Sequence, residues 1–470
     1  MINEVGPTHI IILGGSGDLS KRKLLPALID LYCRGKLPNE FKITGVARTP
    51  RSDEEYRALV TEAIHSHNHD HSDEEIHKFC QHISYVSGSF DQPDTFAVLQ
   101  DLFSQFETEL GAPANRLFYL AVPPSQYGTI FRALHNSGFA PEDHHGCWSR
   151  ILVEKPFGRD LETAKTLDEE MSQLFSESQI FRIDHYLAKE AVQNILSFRF
   201  ANTLLQAAWD NEQVASVHIT MKETVDVGHR VGFYEDVGAL RDVGQNHLLQ
   251  LLALVAMDQP SSLTPEAIRN NRARILSALR IYDESSLSGN VIRGQYEGYL
   301  EAEGVEHDSN TETYFELKAF VDTERWQDVP FYIKAGKALD EALVEIRVVF
   351  KDVATGPFET DSCITANNEV RLTIQPNQEM GITLNAKAPG LGFQLESREL
   401  AFTCQKGEEE IKNSYEKVLY DCILGDQTLF TKTEEVLASW KFISPILEHW
   451  QKEELHTYPK GSDGPARQLT

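Results

Sequence analysis

A glycine-rich turn near the amino terminus constrains the fold more than any other stretch of this sequence. The apolar run His9–Leu13 leads into Gly14-Gly15-Ser16-Gly17-Asp18-Leu19, and the residues from Lys21 to Leu31 have a helical pattern. Glycines in such a turn allow backbone N–H groups to approach a pyrophosphate at the start of a helix. The spacing is Gly-x-x-Gly rather than the full Gly-x-Gly-x-x-Gly, so it predicts a dinucleotide site only together with the elements that follow.

The next strand supplies that context and indicates the cofactor. Phe41–Ala47 has a strand pattern, which completes a strand–helix–strand unit, and Arg48 follows its last residue. An acidic residue here would bind a ribose 2′-hydroxyl, whereas an arginine can pair with a 2′-phosphate. We therefore predict NADP as the cofactor, although Arg48 does not rule out NAD. The alternative is that Arg48 only covers the edge of a sheet.

Alternating strands and helices extend this unit over residues 1–180. Further strand patterns lie at His82–Val86, Arg116–Ala121 and Arg150–Val153, and helical patterns at Asp94–Leu110 and Gln126–Asn136. This alternation is typical of a doubly wound, mostly parallel sheet, so we predict a Rossmann-like α/β domain. Such sheets bind ligands beyond the carboxyl ends of their strands, which makes Tyr127 a predicted cofactor contact.

The periodicity changes in residues 181–470. Polar and apolar residues alternate in five segments, as in half-buried antiparallel strands: Val214–Glu223, Thr311–Val321, Val344–Phe350, Glu369–Gln375 and Gly381–Lys387. Four helical patterns can cover the buried face: Gln245–Ala256, Pro265–Leu279, Lys412–Leu424 and Glu434–His449. We therefore predict a second, α+β domain with a large, mainly antiparallel sheet, and two domains suit a chain of 470 residues.

Composition limits the partners. The formal net charge of −27 disfavours nucleic acid and anionic membranes. No apolar run is long enough to span a bilayer, and the first residues lack the pattern of a secretion signal, so a cytoplasmic location is expected. The six cysteines are scattered and include no Cys-x-x-Cys pair, which favours reduced thiols.

One stretch invites a metal-binding interpretation. Six histidines lie among acidic residues between positions 65 and 82: His65, His67, His69, His71, His77 and His82. Their spacing does not match a structural zinc site, and an exposed helix–loop–helix with solvated histidines explains the pattern. We therefore predict no metal here.

The stretch from Phe181 to Glu190 predicts a phosphate site. Asp184 can cap a helix, and on that helix His185 and Lys189 would lie one turn apart on the same face. Both could donate charge-assisted hydrogen bonds to a phosphate near the positive end of the helix dipole. The alternative is an ordinary solvated face.

A second histidine, His247, lies in the helical pattern that begins near Arg241. Periodicity alone favours a buried histidine in an apolar helix. Oxidation of an alcohol by hydride transfer to a dinucleotide, however, needs a base, and a neutral imidazole with a pKa of about 6.5 suits that role. Asp242 lies five residues earlier, so on an ideal α-helix it should face elsewhere and could accept from a hydroxyl of a substrate.

The motifs of the chain, in their order, resemble those of the glucose-6-phosphate dehydrogenases. They are the glycine turn at 14–19, Glu154-Lys155-Pro156-Phe157-Gly158, Arg182-Ile183-Asp184-His185-Tyr186-Leu187-Ala188-Lys189-Glu190, Lys222-Glu223, Arg241-Asp242-Val243-Gly244-Gln245-Asn246-His247 and Gly336-Lys337-Ala338-Leu339. The family usually has Gly in place of Ala188, a change that a helix should tolerate. The resemblance covers essentially the whole chain.

The resemblance implies a role for each matched residue. His247 would be the base and Asp184 the residue that orients it. Sugar-phosphate and sugar contacts would come from Lys155, His185, Tyr186, Lys189, Glu223, Asp242 and Lys337. Cofactor contacts would come from Gly14, Ser16, Gly17, Asp18, Leu19, Arg48, Tyr127 and Lys155, and the Lys155–Pro156 bond would be cis.

The implied reaction is the oxidation of D-glucose 6-phosphate at C1 to 6-phospho-D-glucono-1,5-lactone with NADP, the first oxidative step of the pentose phosphate pathway. No metal is needed, and a homodimer or homotetramer is expected. Two alternatives stay open. One is a related oxidoreductase that acts on another aldose or aldose phosphate, and the other is a non-catalytic sensor of sugar phosphate or dinucleotide.

Overall fold

The structure is a computed structural model. It describes residues 2–67, 70–143, 145–228, 231–287, 289–352, 367–392, 394–403, 413–450, 452–466 and 468–469. These residues form two compact units. The first comprises Met1–Ala188, Thr264–Arg269 and Glu409–Thr433, and the second comprises Lys189–Leu263, Asn270–Glu408 and Glu434–Thr470. The predicted domains, 1–180 and 181–470, differ from these units because 181–188 and two later segments join the first unit.

The strands of the described residues, in chain order, are β1 (Thr8–Leu13), β2 (Phe41–Ala47), β3 (Ile83–Ser87), β4 (Asn115–Leu120), β5 (Ser149–Val153), β6 (Ile180–Ile183), β7 (Val214–Lys222), β8 (Val291–Tyr296), β9 (Tyr314–Ala319), β10 (Phe331–Gly336), β11 (Leu343–Phe350), β12 (Glu369–Gln375), β13 (Glu379–Lys387), β14 (Leu395–Thr403), β15 (Phe430–Thr431) and β16 (His456–Tyr458).

The α-helices are α1 (Leu25–Cys33), α2 (Asp53–His67), α3 (Asp73–Cys80), α4 (Pro93–Leu110), α5 (Tyr127–Asn136), α6 (Leu161–Ser172), α7 (Glu190–Phe200), α8 (Thr203–Gln206), α9 (Val231–Tyr234), α10 (Leu249–Ala256), α11 (Pro265–Ser277), α12 (Glu284–Leu287), α13 (Ser414–Leu424) and α14 (Thr433–Trp450). Two π-helical segments, Ser20–Leu24 and Leu240–Leu248, directly precede α1 and α10. No helix in the described part of the chain is both long and apolar enough to cross a membrane.

The sheet of the first unit confirms the predicted Rossmann-like domain. Among the described residues, seven strands lie in the order β15-β6-β5-β4-β1-β2-β3. All neighbours are parallel except β15, which runs antiparallel to β6. β1 lies between β2 and β4, and the order of strands reverses between β1 and β4. Such a reversal opens a crevice at the carboxyl ends of the strands, which is where nucleotides bind in these folds.

The glycine turn follows β1 at this crevice. Gly14 has a φ of +95°, and a Cβ at this position would overlap the carbonyl oxygen of Ala121. Its N–H donates to the carbonyl of Val46 over 2.8 Å, and its own carbonyl accepts from the N–H of Gly17 over 2.9 Å. Only glycine avoids both the strained backbone and the overlap. The turn therefore passes tightly between the ends of β2 and β4 and begins the helical segment that ends at Cys33.

The sheet of the second unit is mainly antiparallel, as predicted. Nine strands of the described residues lie in the order β14-β13-β12-β11-β7-β10-β9-β8-β16. Only the pairs β7–β10 and β8–β16 are parallel among them. In β11 the even-numbered residues Val344, Ile346 and Val348 are buried, as their alternation predicted. Four of these strands, β8, β10, β14 and β16, were not predicted.

The prediction that a helix begins at Asp184 is wrong. The side chain of Asp184 accepts from the N–H of Tyr186 over 2.9 Å, and its carbonyl accepts from Leu187 over 3.1 Å. These bonds form a turn, because a short carboxylate side chain can bond its own backbone instead of capping a helix. α7 begins later, with Lys189 as its N-cap residue. His185 and Lys189 therefore do not share a helix face, and Ala188 lies in the turn rather than in a helix.

The segment around His247 is helical as predicted, but its first half is not an α-helix. The N–H of Leu249 donates to the carbonyl of Gly244, five residues earlier, which is the π-helical pattern. In such a segment residues five apart lie closer in direction than they do on an α-helix. The expectation that Asp242 and His247 face different directions assumed an ideal α-helix, and that assumption is wrong.

Candidate active site

The glycine turn presents the predicted cofactor residues of the first unit. Ser16, Gly17 and Leu19 are half-buried in the turn, and Asp18 is exposed beside Arg22, with 3.4 Å between their charged groups. Arg48 is exposed directly after β2. Gly14 has no room for a Cβ beside Ala121, so only glycine lets the turn pass this close to the end of β4. These features fit a dinucleotide, and an exposed cation after β2 fits a 2′-phosphate.

Tyr127 lies at the first position of α5, where no part of it is exposed. Its hydroxyl donates to the carbonyl of Glu154 over 2.8 Å, and burial raises the pKa of this phenol. Tyr127 thus holds the end of β5 through this buried hydrogen bond. Its predicted contact with the cofactor stays a prediction. The half-buried Lys155 follows Glu154, and its bond to Pro156 is cis.

His185 belongs to a cluster that the sequence did not reveal. Its Nε2 lies 3.0 Å from Oε2 of Glu154, while the hydroxyl of Tyr119 donates to the other carboxylate oxygen. The imidazole also packs at 4.3 Å, between ring centroids, on Tyr415. Among the described residues, no group hydrogen-bonds the buried Nδ1 of His185. The carboxylate therefore fixes the ring and leaves Nδ1 to face a ligand, to which it donates a hydrogen bond when the ring carries both protons.

Electrostatics around Glu154 explain how the cluster holds together. Burial and the nearby Glu154 carboxylate raise the pKa of both Tyr119 and Tyr415, so both phenols stay protonated. The Tyr119 phenol is therefore a donor to Glu154 at neutral pH. Sequence reasoning recognised Glu154 only as part of a motif. No sequence signal links Tyr415, which lies 230 positions beyond His185, to this histidine.

Tyr186 and Lys189 lie on either side of the boundary in the sequence between the first and the second unit. Tyr186 is half-buried, and its N–H is bound by the Asp184 side chain. The carbonyl of Lys189 accepts from Val192 and Gln193 in the first turn of α7, over 3.0 and 3.1 Å. Lys189 is the first residue of the second unit. Its predicted role as a phosphate ligand stays a prediction.

Three of the predicted substrate residues come together in the second unit. Lys337 follows β10, and its Nζ lies 2.5 Å from Oε2 of Glu223, which follows β7. Asp242 contributes a second carboxylate 3.9 Å from the same Nζ. The side chains of Lys337 and Asp242 are only 10% and 11% exposed, whereas Glu223 is 44% exposed. The cluster therefore offers one cation and two acceptors at a largely buried site with one open side.

This arrangement follows from the register of two neighbouring strands. β7 and β10 are parallel, with Gly336 opposite Lys222, so the residues that follow each strand emerge together. The N–H of Glu223 donates to the carbonyl of Gly336 over 3.0 Å, and the N–H of Leu339 donates to the carbonyl of Glu223 over 2.9 Å. These backbone bonds position Glu223 and Lys337 before any substrate binds.

His247 and Asp242 share the π-helical segment of the second unit. His247 is 4% exposed, and its N–H donates to the side chain of Asn246 over 2.6 Å. Glu312, 5% exposed, accepts from the N–H of Leu240 over 3.0 Å at the start of this segment. Burial raises the pKa of the Glu312 carboxyl. Glu312 thus holds the end of the segment that carries both predicted residues, a role that its place in a strand pattern did not suggest.

Tyr234 is a further residue that sequence reasoning missed. It is 1% exposed, and Nζ of Lys337 lies 5.5 Å from the centre of its ring. Burial, followed by the charges of Glu312 and Asp242, raises the pKa of this phenol well above its usual value. The uncharged ring of Tyr234 therefore lies beside Lys337 and does not compete with Glu223 and Asp242 for the charge of this lysine. Asp184 and His247 belong to different units, so their predicted pairing stays a prediction.

The first unit has a Rossmann-type sheet with a glycine turn of the kind that binds phosphate. The second unit has a sheet with a lysine–carboxylate cluster and also contains a buried histidine. Together these features define a nucleotide-dependent dehydrogenase with a separate substrate domain. Family models for glucose-6-phosphate dehydrogenase match nearly the whole chain, its NAD binding domain at residues 11–194 and its C-terminal domain at residues 196–469. The chain belongs to the glucose-6-phosphate dehydrogenase family.

Individual relatives agree with this assignment. The cytoplasmic glucose-6-phosphate 1-dehydrogenase 6 of Arabidopsis thaliana is 40% identical over 99% of this chain and 90% of its own length. The glucose-6-phosphate 1-dehydrogenase of Bacillus subtilis is 38% identical over 98% of this chain and 96% of its own. A solved structure of glucose-6-phosphate dehydrogenase in complex with its substrate glucose-6-phosphate has a TM-score of 0.90, with 38% identity over 98% of this chain and 95% of that one.

Proposed function

We propose that the chain oxidises D-glucose 6-phosphate at C1 to 6-phospho-D-glucono-1,5-lactone and reduces NADP. The observation that carries the proposal is the cluster of Lys337, Glu223 and Asp242, because it offers a cation and two carboxylates of the kind that bind sugar hydroxyls. Family membership and a relative solved with glucose-6-phosphate support the same substrate.

The chemistry assigned to the protein is proton transfer and positioning. In the proposed reaction the C1 hydroxyl loses its proton to His247 as the C1–H bond gives up a hydride and C1 becomes a carbonyl. NADP, when bound, supplies the hydride acceptor. We further propose that Asp184 orients His247 and stabilises the imidazolium that forms, since a carboxylate beside a histidine fixes its tautomer.

The phosphate is assigned to His185 and Lys189, with Tyr186 assisting. The bond between Nε2 of His185 and Glu154 supports this role, because it orients the ring and leaves Nδ1 for the ligand. Lys155 is proposed to contact both cofactor and sugar. The exposed position of Arg48 after β2 supports a preference for NADP over NAD.

Two broader properties are also proposed. The cytoplasmic Arabidopsis relative supports a cytoplasmic location. A homodimer or homotetramer is also proposed, and sedimentation or light scattering of the purified chain tests it.

Initial rates of NADPH and NADH formation with glucose 6-phosphate and with glucose test the function. We expect kcat/KM to be highest with glucose 6-phosphate and NADP. Equal rates with both sugars would contradict the phosphate assignment and favour another aldose dehydrogenase. Ligand binding without any NADPH formation would identify a sensor instead.

A further inference from the structure

Three potential metal ligands meet in the first unit, and none of them belongs to the glycine turn or to the His185 cluster. Cys33 is the last residue of α1, His71 lies just before α3, and Glu75 lies in the first turn of α3. One ligand atom from each, the thiol sulfur, an imidazole nitrogen and a carboxylate oxygen, lies within 4.8 Å of the other two. Cysteine, histidine and carboxylate side chains are the usual ligands of Zn²⁺.

A buried carboxylate supports the histidine of this group. Nε2 of His71 lies 2.8 Å from Oδ1 of Asp30, and the two side chains are only 9% and 6% exposed. Histidines that bind metals commonly donate their other ring N–H to a carboxylate, which fixes the tautomer and strengthens the ligand. With Nε2 bound to Asp30, Nδ1 is the nitrogen that would bind an ion. The pair of His71 and Asp30 therefore has the carboxylate partner that metal-binding histidines commonly have.

The carboxylate of Glu75 is also held in place. It accepts from both the N–H and the hydroxyl of Ser72 over 2.8 Å each, and the N–H of Glu75 donates back to this hydroxyl over 3.3 Å, which completes the capping box of α3. The carboxylates of Glu75 and Asp30 both lie at this group of ligands, so a cation would meet two negative charges there. A bound metal would deprotonate the coordinating thiol of Cys33.

We propose that Cys33, His71 and Glu75 bind a Zn²⁺ ion, with Asp30 orienting His71. In a tetrahedral site the ligand atoms lie about 3.3–3.6 Å apart, so the side chains need to close by roughly 1 Å. The exposed Cys33 gives an ion access to the site. A bound ion would tie the end of α1 to the start of α3. The sequence did not reveal the site because Cys33 lies 38 residues before His71, outside the spacing of structural zinc motifs.

The site is independent of the proposed dehydrogenase activity, so its test uses metal binding alone. Co²⁺ serves as the optical probe for the Zn²⁺ site. We expect the purified, metal-free full-length chain to bind one Co²⁺ with a thiolate-to-metal charge-transfer band, and Zn²⁺ to displace it. The band should be lost in Cys33→Ser and kept in the matched variant Cys147→Ser. Absence of the band from the unmodified chain, or its persistence in Cys33→Ser, overturns the proposal.

Zn²⁺ titration against a chelating dye tests the other members. His71→Asn should weaken binding at least tenfold, whereas His77→Asn, an exposed histidine of α3, should leave it unchanged. Asp30→Asn should weaken binding about 10- to 100-fold, the usual effect of removing the carboxylate partner of a metal-binding histidine. Equal losses in His71→Asn and His77→Asn would mean that surface histidines bind the ion, which overturns the proposal. Unfolding temperatures of the metal-free variants establish that each is folded.

Discussion

The substitution Lys337→Gln tests the substrate cluster most directly. Lys337 supplies the cation between Glu223 and Asp242, at 2.5 Å and 3.9 Å from their carboxylate oxygens. Glutamine keeps a hydrogen-bond donor and much of the volume but removes the charge. The backbone that positions residue 337 is unaffected, because its N–H donates to Thr313 and its carbonyl accepts from Tyr458, each over 2.8–2.9 Å.

The size of the effect follows from the contacts that Lys337 can make. A hydrogen bond to a charged group is worth about 1.5–3 kcal/mol, so the loss of one such bond to the substrate lowers kcat/KM about 10- to 150-fold. The pair with Glu223 contributes little to stability, about 0–1 kcal/mol, because Glu223 is 44% exposed. We therefore expect a large kinetic effect and a small change in the free energy of unfolding.

The matched control is Lys334→Gln in β10, the strand that Lys337 follows. Lys334 is similarly buried, at 13% exposed, and its Nζ lies 2.8 Å from Asp463 rather than from a predicted substrate residue. Initial rates of NADPH formation over a range of glucose 6-phosphate concentrations give kcat and KM for both variants. If Lys337→Gln retains kcat/KM within about threefold, or if Lys334→Gln loses as much, the assignment of Lys337 to the substrate is refuted.

Four further outcomes are expected. His247→Asn should lower kcat about 10²- to 10⁴-fold with little change in KM, and near-normal turnover would eliminate His247 as the base. Arg48→Ala should lower kcat/KM about tenfold or more for NADP but not for NAD, and an equal loss with both would contradict the 2′-phosphate contact. Arg272 and Glu435 form a fully buried pair, so Arg272→Met should cost about 3–5 kcal/mol in urea unfolding, and a double variant with Glu435→Leu should recover much of it. Burial raises the pKa of the Asp421 carboxyl to about 6, so its contribution to stability is fully present below pH 4 and is lost as the pH rises through 6. The free energy of unfolding should fall by about 3 kcal/mol over this range because of Asp421. Asp421→Asn should flatten this dependence in unfolding measured between pH 4 and 7.

Periodicity predicted most of the fold. The strand Phe41–Ala47 has the predicted bounds, and the alternation of Val344–Phe350 correctly gave the buried face of β11. The unpredicted strand β8, Val291–Tyr296, is buried at every position and so lacks the alternation that marks a half-buried strand. β14 lies at the edge of its sheet with mostly exposed residues, so its pattern also carried little information.

The candidate site was predictable as a set of residues but not as an arrangement. Glu223, Asp242 and Lys337 were named from motifs. The structure brings Glu223 and Lys337 together because β7 and β10 are adjacent and parallel, and Asp242 joins them from the π-helical segment. The turn at Asp184 was misread because a short side chain that suits a helix cap also suits a turn. Tyr415 and Glu312 were missed because their contacts depend on chain packing over long sequence separations.

The π-helical segment Leu240–Leu248 has a consequence for how this chain can change. It joins directly to α10, whose residues Leu249–Ala256 are all buried. A deletion of one residue at the start of α10, where the winding is α-helical, would turn Asp242 about 100° relative to the buried residues that follow. The direction of Asp242 relative to the buried residues of α10 therefore depends on the number of residues between them. Point substitutions change single side chains in the π-helical segment or in α10, but insertions and deletions here would change how the two segments are aligned.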